Sequence, residues 1–477
     1  MTYRKLLLFL LLIIPVELWS QKDALDGMLS DSLLKGTSFS ICFEDVASGE
    51  IIFSFDAERN LAPASVMKLY PTSAALMLLG DDYRFSTEVG WVGSYNSRRG
   101  VLEGDIVIRG GGDPALGSAL FAEHYGDVTG SWAEALAAAG LRRVTGRVAA
   151  AASCYDYQPT PPGWAWEDLG NYYGAGVYDI NFNDNTYNIF LSGTGEGNRP
   201  VIDSVDKAGS NILITNYLIS SGTDDEGYVF DAPYSQEAWL AGSIPANGIT
   251  VLKASLPDPP QTVAFLLEDA LRKRGVEING KTSRKRLDVP SGKLSGTVIT
   301  TLSPPLSEIV KTTNHESMNL YAEQLCKHLG LVVNGKPSFS EGITVIKSFL
   351  DTIGCNPFGA VILDASGLSS NNNISALMTV KLLRYMYLSR EHDTFLASLP
   401  EGGVSGTMKN YFRGDVFKGK VRAKTGSMTS VRSFGGYVIT NNGKTIAFTI
   451  IANGFTAPWR QVTNRMEKIV EEIILNY

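Results

Sequence analysis

The sequence predicts an α/β (α+β) protein: an antiparallel sheet flanked by helices, interrupted by a long, mainly β insertion. Three observations predict it. Strand patterns stand at both ends of the chain, helical patterns stand beside them, and the middle reads as short strands separated by turns. Residues 38–45 (SFSICFED) and 50–55 (EIIFSF) read as two strands joined at Ser48-Gly49. Ser433–Ile439 and Thr445–Ala452 read as a hairpin around Asn441-Asn442-Gly443, since Asn-Gly accepts the positive φ angles of a tight turn. Gly419–Lys424, just before it, is a further short strand. Between Val462 and Leu475, Met466, Ile469, Val470, Ile473 and Ile474 recur at helical spacing. Glu467, Glu471 and Glu472 make the opposite face acidic, where an anionic membrane would favour Lys and Arg, so this helix is expected to pack on the sheet. From about 90 to 290 the chain is rich in Gly, Asn, Asp and Tyr, with strand-like runs at 105–109, 143–150, 186–191 and 212–218. It contains no repeat of fixed period and no low-complexity tract.

Composition narrows the class. A chain of 477 residues allows two to four domains at about 150 residues each. Its 42 Lys and Arg against 49 Asp and Glu leave a net charge of −7, with no basic excess for nucleic acid. A hydrophobic share of 44% supports sizeable cores and excludes disorder, coiled coil and collagen. The one long apolar run is N-terminal: Arg4 and Lys5 precede Leu6 to Val16, followed by polar residues and small Ser20. This pattern predicts a secretory signal peptide over residues 1–20 and a periplasmic protein. The run is short for a membrane span, so an uncleaved anchor is the lesser alternative. No Cys follows it, so no lipid attachment is expected there. Cys42, Cys154, Cys326 and Cys355 permit disulfides in an exported chain, with buried free thiols as the other reading; the pairing stays open. Without a CxxC pair, and with four His, no metal, redox centre or other cofactor is expected.

Three short motifs carry the chemistry. Ser65-Val66-Met67-Lys68 opens an apolar stretch running to Leu79. On a helix starting near Ser65, positions i and i+3 share a face, which brings the hydroxyl within reach of the amine. A Ser hydroxyl needs a base to become a nucleophile, and a Lys with a depressed pKa can be that base. The Ser N–H at a helix start is also free to donate to an oxyanion. Alone the pattern is weak, because Ser32–Lys35 and Ser204–Lys207 also satisfy it. Ser317-Met318-Asn319 is an S-x-N element, again weak alone. Lys424-Thr425-Gly426, the one K-T-G in the chain, lies on the strand before the C-terminal hairpin. There Lys offers charge to a carboxylate, Thr a hydrogen bond, and Gly room for a substrate backbone.

In the order S-x-x-K, S-x-N, K-T-G, the three resemble the signature of penicillin-binding proteins and serine β-lactamases. Met318 replaces the Asp of the commoner S-D-N form. The long interval between Ser65 and Ser317 is similar to that of the class C low-molecular-mass penicillin-binding proteins, the D-alanyl-D-alanine carboxypeptidase/endopeptidase family. The runs 110–114 (GGGDP), 162–166 (PGWAW), 364–369 (DASGLS) and 399–403 (LPEGG) look alike too. The resemblance implies a penicillin-recognising transpeptidase/β-lactamase-like domain, residues 21–90 and 290–477, with two nested inserts. These would be domain II, 91–165 and 245–289, and domain III, 166–244. It also implies roles: Ser65 as acylated nucleophile, Lys68 as general base, and Ser317 as proton relay to the leaving D-alanine. Asn319 would hold the substrate amide, and Lys424 and Thr425, beside Gly426, the terminal carboxylate. The N–H groups of Ser65 and Ser427 would form the oxyanion hole. Peptidoglycan stem peptides would be the substrates and β-lactams covalent inhibitors.

Ser370 stands where the family often has an Arg that reads the peptide side chain, and Asp156 is out of step with an aspartate expected for the same purpose. Pro71 should kink the first helix one turn past Lys68. His315 and His328 are read as packing residues, Asp113 as a structural turn residue, and Trp164 and Trp166 as filling the insert core rather than stacking on sugar. The sequence therefore predicts a serine D-Ala-D-Ala carboxypeptidase, with D,D-endopeptidase action open. A serine β-lactamase, a related esterase and a non-catalytic wall-binding protein are the rival readings.

Overall fold

The computed structural model describes residues 25–151, 154–283, 285–287, 293–357 and 359–477. The segment read as a signal peptide lies outside them. The two ends of the chain build one five-stranded antiparallel sheet, in the order Val421–Met428, Val431–Ile439, Thr445–Asn453, Ser38–Asp45, Ile51–Phe55. Alternation along each strand divides its side chains between two cores. Phe39, Ile41, Phe43, Phe448 and Ile450 meet the C-terminal helix Trp459–Asn476 through Val462, Met466, Ile469, Val470 and Ile473. Cys42, Ala447, Ile451 and Tyr437 face the other core, with the helices Leu69–Leu79 and Ala376–Leu388. The C-terminal helix thus packs on the sheet, as its spacing predicts.

The insertion supplies three more sheets. A six-stranded sheet takes strands from Ser86–Asn96 to Gly296–Leu302, with the helices Val128–Ala138 and Pro259–Lys273 in its core. The expected boundary at 90/91 falls inside the first of these strands. A three-stranded sheet (Asn247–Ser255, Thr186–Thr194, Val201–Val205) and a four-stranded sheet around Glu237–Ile244 share a separate small core that includes Ile189, Leu191 and Leu240. A buried polar chain ties the insert to the helix Asn319–Asn334. His328 Nε2 meets the Tyr83 hydroxyl at 2.7 Å and its Nδ1 the Tyr155 hydroxyl at 3.0 Å. Gln324 donates to Tyr155 at 2.6 Å and accepts from Asn181 at 2.9 Å. His328 and Asp113 are therefore packing groups. Asp113 accepts from Ala115 N–H at 2.9 Å and Tyr125 O–H at 2.7 Å, and burial raises its pKa to about 6. Cys42, Cys326 and Cys355 are buried free thiols and Cys154 is an exposed one. Among the described residues no helix is long and apolar enough to cross a membrane.

One expectation is corrected. Residues Ala64–Lys68 form a 3-10 turn, and the α-helix begins only at Leu69. Pro71 is therefore in the first turn of that helix, where backbone N–H groups have no intrahelical acceptor anyway. No kink is required. Replacing Pro71 by Ala should accordingly bring no gain in stability in a urea unfolding curve. A gain of about 3 kcal/mol, the usual cost of a proline inside a helix, would contradict a helix start at Leu69.

Candidate active site

In a 3-10 turn, residues i and i+3 eclipse one another. Lys68 Nζ accordingly donates to Ser65 Oγ at 2.8 Å, a tighter register than the α-helical face the sequence predicts. Lys68 is fully buried, and its second hydrogen bond goes to the Ser366 carbonyl at 2.7 Å. Burial lowers its pKa to about 7, against the opposing pull of the Asp364 and Glu323 carboxylates. Just before Ser65, Ala64 is held at φ +46°, a conformation that costs a β-carbon-bearing residue energy.

Across the cleft, Ser317 joins the helices Leu306–His315 and Asn319–Asn334, and it too has positive φ, +59°. Its Oγ accepts from Lys424 Nζ at 2.9 Å. Lys424 is fully buried and also donates to the Thr425 carbonyl at 2.9 Å. Burial, and then the nearby Lys68 charge, hold its pKa well below the usual lysine range. Asn319 donates through Nδ2 to the Tyr173 carbonyl of the insert at 2.8 Å. Ser65, Ser317, Thr425 and Ser427 line one cleft of about 330 Å³. A hollow of about 420 Å³ lies elsewhere, beside Lys381 and Arg384, both of which pair with Glu44. It contains none of the motif residues.

Gly426 has a different reason from the expected one. A Cβ there would sit 2.1 Å from Ser433 Oγ and 2.4 Å from the Pro63 carbonyl. The glycine lets the Lys424 strand lie against the serine turn; the space is filled by the protein itself. Trp166 is corrected as well. It is 54% exposed and packs in an open cluster with Phe230 and Trp239 rather than in a core. Trp164 donates instead to Asp364 at 2.9 Å. Asp156 is taken up as the ion-pair partner of buried Lys327.

Sequence reasoning missed two carboxylates beneath the site. Glu323 is fully buried and accepts from the N–H groups of Ala365 and Ser366 at 3.0 and 2.7 Å. Burial and the Asp364 carboxylate push its pKa up to about 8. Asp364 accepts from Gly367, Ser369, Asn372 and Trp164, and burial still raises its pKa. Together they fix the loop whose Ser366 carbonyl holds Lys68. Asp364 opens a run that carries the family likeness and Glu323 follows Asn319 by four residues, but nothing in the sequence marks either as buried.

A serine hydroxyl on a buried, pKa-depressed lysine, facing a second serine-lysine pair, has the geometry by which serine hydrolases form an acyl-enzyme. The chain belongs to the D-Ala-D-Ala carboxypeptidase 3 (S13) family, whose model matches residues 21–473. A D-alanyl-D-alanine carboxypeptidase of Actinomadura sp. (strain R39) is 31% identical over 451 residues, covering 92% of this chain and 81% of that protein. D-alanyl-D-alanine carboxypeptidase DacB of Haemophilus influenzae is 23% identical, covering 90% and 88%. The crystal structure of penicillin binding protein 4 from H. influenzae superposes with a TM-score of 0.79 at 21% identity, covering 95% of this chain and 97% of that one. The fold is thus the expected penicillin-recognising domain with inserted β-rich material.

Gly367 tests the loop. It has φ +81°, and a Cβ there would lie 1.9 Å from the Ala64 carbonyl. Gly367→Ala should displace the loop from the serine turn and slow acylation by penicillin at least about tenfold, since misplacing a reacting group by about 1 Å costs up to 100-fold. Unchanged acylation kinetics in that variant would refute the loop's role in holding Lys68.

Proposed function

We propose that this chain is a periplasmic serine-type D-Ala-D-Ala carboxypeptidase acting on peptidoglycan stem peptides. The observation that carries the reading is the 2.8 Å contact between Ser65 Oγ and a buried Lys68 whose pKa lies at about 7. With Lys68 neutral, its lone pair takes the Ser65 proton as Oγ attacks the carbonyl of the penultimate D-alanine. The N–H groups of Ser65 and Ser427 receive the developing oxyanion. Ser317, hydrogen-bonded by Lys424, hands its hydroxyl proton to the departing D-alanine amine and is reprotonated with the proton that Lys68 took from Ser65. Asn319, its Nδ2 engaged by Tyr173, offers Oδ1 to a substrate N–H. Thr425 lies in the cleft beside the terminal carboxylate. Water then hydrolyses the ester. A β-lactam enters by the same attack and acylates Ser65. Attack on a D,D cross-link would follow the same steps, which makes endopeptidase action the second reading.

The residues bear on the rivals. A β-lactamase of the kind that relies on a glutamate needs that carboxylate free to activate water. Here the two buried carboxylates that act on the base are both taken up, Glu323 by the Ala365 and Ser366 N–H groups and Asp364 by those of Gly367 and Ser369. A non-catalytic wall-binding protein has no use for a lysine buried against a serine. Export by the N-terminal segment and the division into 21–90 with 290–477, 91–165 with 245–289, and 166–244 accompany this reading.

The pH dependence follows with a definite sign. The base acts unprotonated, so acylation of Ser65 by fluorescent penicillin should rise with pH to a plateau above about 7 and fall about tenfold per unit below it. Lys68→Ala should stay folded and lose acylation. A flat profile between about pH 5 and 9, or normal labelling of Lys68→Ala, would sink the base assignment. Digestion of isolated muropeptides should release terminal D-Ala; fast penicillin turnover without that release would favour the β-lactamase.

A further inference from the structure

The cleft holds a third cation that the motifs do not name. Arg432 stands directly opposite Ser427 on the neighbouring antiparallel strand, so the two side chains share one face. Both line the cleft with Ser65 and Ser317, and Arg432 is only 6% exposed. Its guanidinium packs over the Trp459 ring. Its Cζ lies 5.0 Å from the centre of the Trp459 ring, and Nη1 reaches the Tyr411 hydroxyl at a long 3.3 Å. Its Nε–H is buried with no hydrogen-bond partner among the described residues. Thr407 Oγ1, on the lining of the same cleft, is also buried and unpartnered among the described residues. A desolvated guanidinium with an unused N–H, in one cleft with an unused hydroxyl, is a site built for an anion that comes from outside.

Lys424 is poorly suited to that task. Two of its N–H groups are already spent on Ser317 Oγ and the Thr425 carbonyl, and it is fully buried. A guanidinium keeps its charge when buried and presents a planar fork to both oxygens of a carboxylate.

We infer that Arg432, with Thr407, holds the C-terminal carboxylate of the donor peptide, and the carboxylate of penicillin in its place. The inference rests on the carboxypeptidase reading above and assigns the charge that recognises that substrate to Arg432 rather than Lys424. It makes Arg432 a specificity residue: a substrate without the carboxylate does not feel it.

The test compares two substrates on purified full-length protein. One is an N-acyl-D-Ala-D-Ala peptide; the other is an N-acyl-D-alanine phenyl ester, which lacks the terminal carboxylate. Arg432→Gln should raise KM for the peptide roughly 10- to 100-fold, the worth of a lost charge-assisted hydrogen bond. Its kcat for the peptide and its turnover of the ester should stay within about threefold of wild type, because the chemical step is untouched. Penicillin acylation should slow in parallel with the peptide. Unchanged peptide KM in Arg432→Gln, or an equal loss on peptide and ester with the fold intact, overturns the inference. Should Arg432→Gln fail to fold, Arg432→Lys decides. It keeps the charge and loses the fork, so its peptide KM must still rise while ester turnover holds; an unchanged KM overturns the inference. Absence of any Ser65 labelling in wild type, by penicillin or by the ester, is a distinct outcome: it removes the serine hydrolase reading itself, and this inference with it.

Discussion

The site depends on keeping one amine dry. Lys68 has no exposed surface, and removal from water is the largest influence bringing its pKa to about 7. A lysine in water is almost wholly protonated at neutral pH and could take no proton from Ser65. Full burial without partners would be as damaging, since an unsatisfied polar group in a core destabilises the fold. The Ser366 carbonyl resolves the conflict: it accepts one N–H at 2.7 Å without adding a full negative charge next to the base. The Glu323 and Asp364 carboxyl groups, both pushed by burial toward their neutral forms, are set behind that carbonyl, where they hold the loop and oppose the pKa shift of Lys68.

This arrangement requires close contact between segments far apart in sequence. The Lys424 strand and the 364–369 loop both press on the turn that carries Ser65, and each does so at a glycine, Gly426 and Gly367, where a Cβ would overlap backbone. Ala64 and Ser317 adopt left-handed backbone at the two serines. Such strain persists only where surrounding packing over-determines the geometry. Here the C-terminal sheet, buried on both faces, supplies that rigidity.

Much of this was legible in the sequence. The motif order located both serines, both lysines and Asn319, and strand alternation with Asn-Gly turn chemistry located the hairpins. Local patterns failed where the outcome depended on tertiary contact. An i, i+3 pair suits a 3-10 turn as well as an α-helix, so Pro71 read as a kink instead of a first-turn residue. Trp166 looked like core material because a tryptophan's residue type does not reveal that it stays 54% exposed beside Phe230 and Trp239. Arg432 sits eight positions beyond Lys424 in the same hairpin, but its burial is completed by Trp459, on a helix that begins after the next strand. Glu323 read as one more polar residue on a helix; its burial comes from a loop about forty residues later in the chain.

The insert is therefore more than an appendage to the catalytic sheet. Trp164 from its first part donates to Asp364, and Tyr173 accepts from Asn319, so two insert residues touch the loop behind the base and the S-x-N element respectively. A long insertion between Ser65 and Ser317 would loosen the site if it merely looped out, because the two serines must meet across a cleft of about 330 Å³. Instead the buried chain from Tyr83 through His328, Tyr155 and Gln324 to Asn181 fastens the insert to the same helix that begins at Asn319. Hydrogen bonds in such a chain polarise and strengthen one another, so they couple the position of the insert to that of the helix following Ser317. The length of the interval, which in the sequence served only to narrow the family, is in the structure what braces one wall of the cleft.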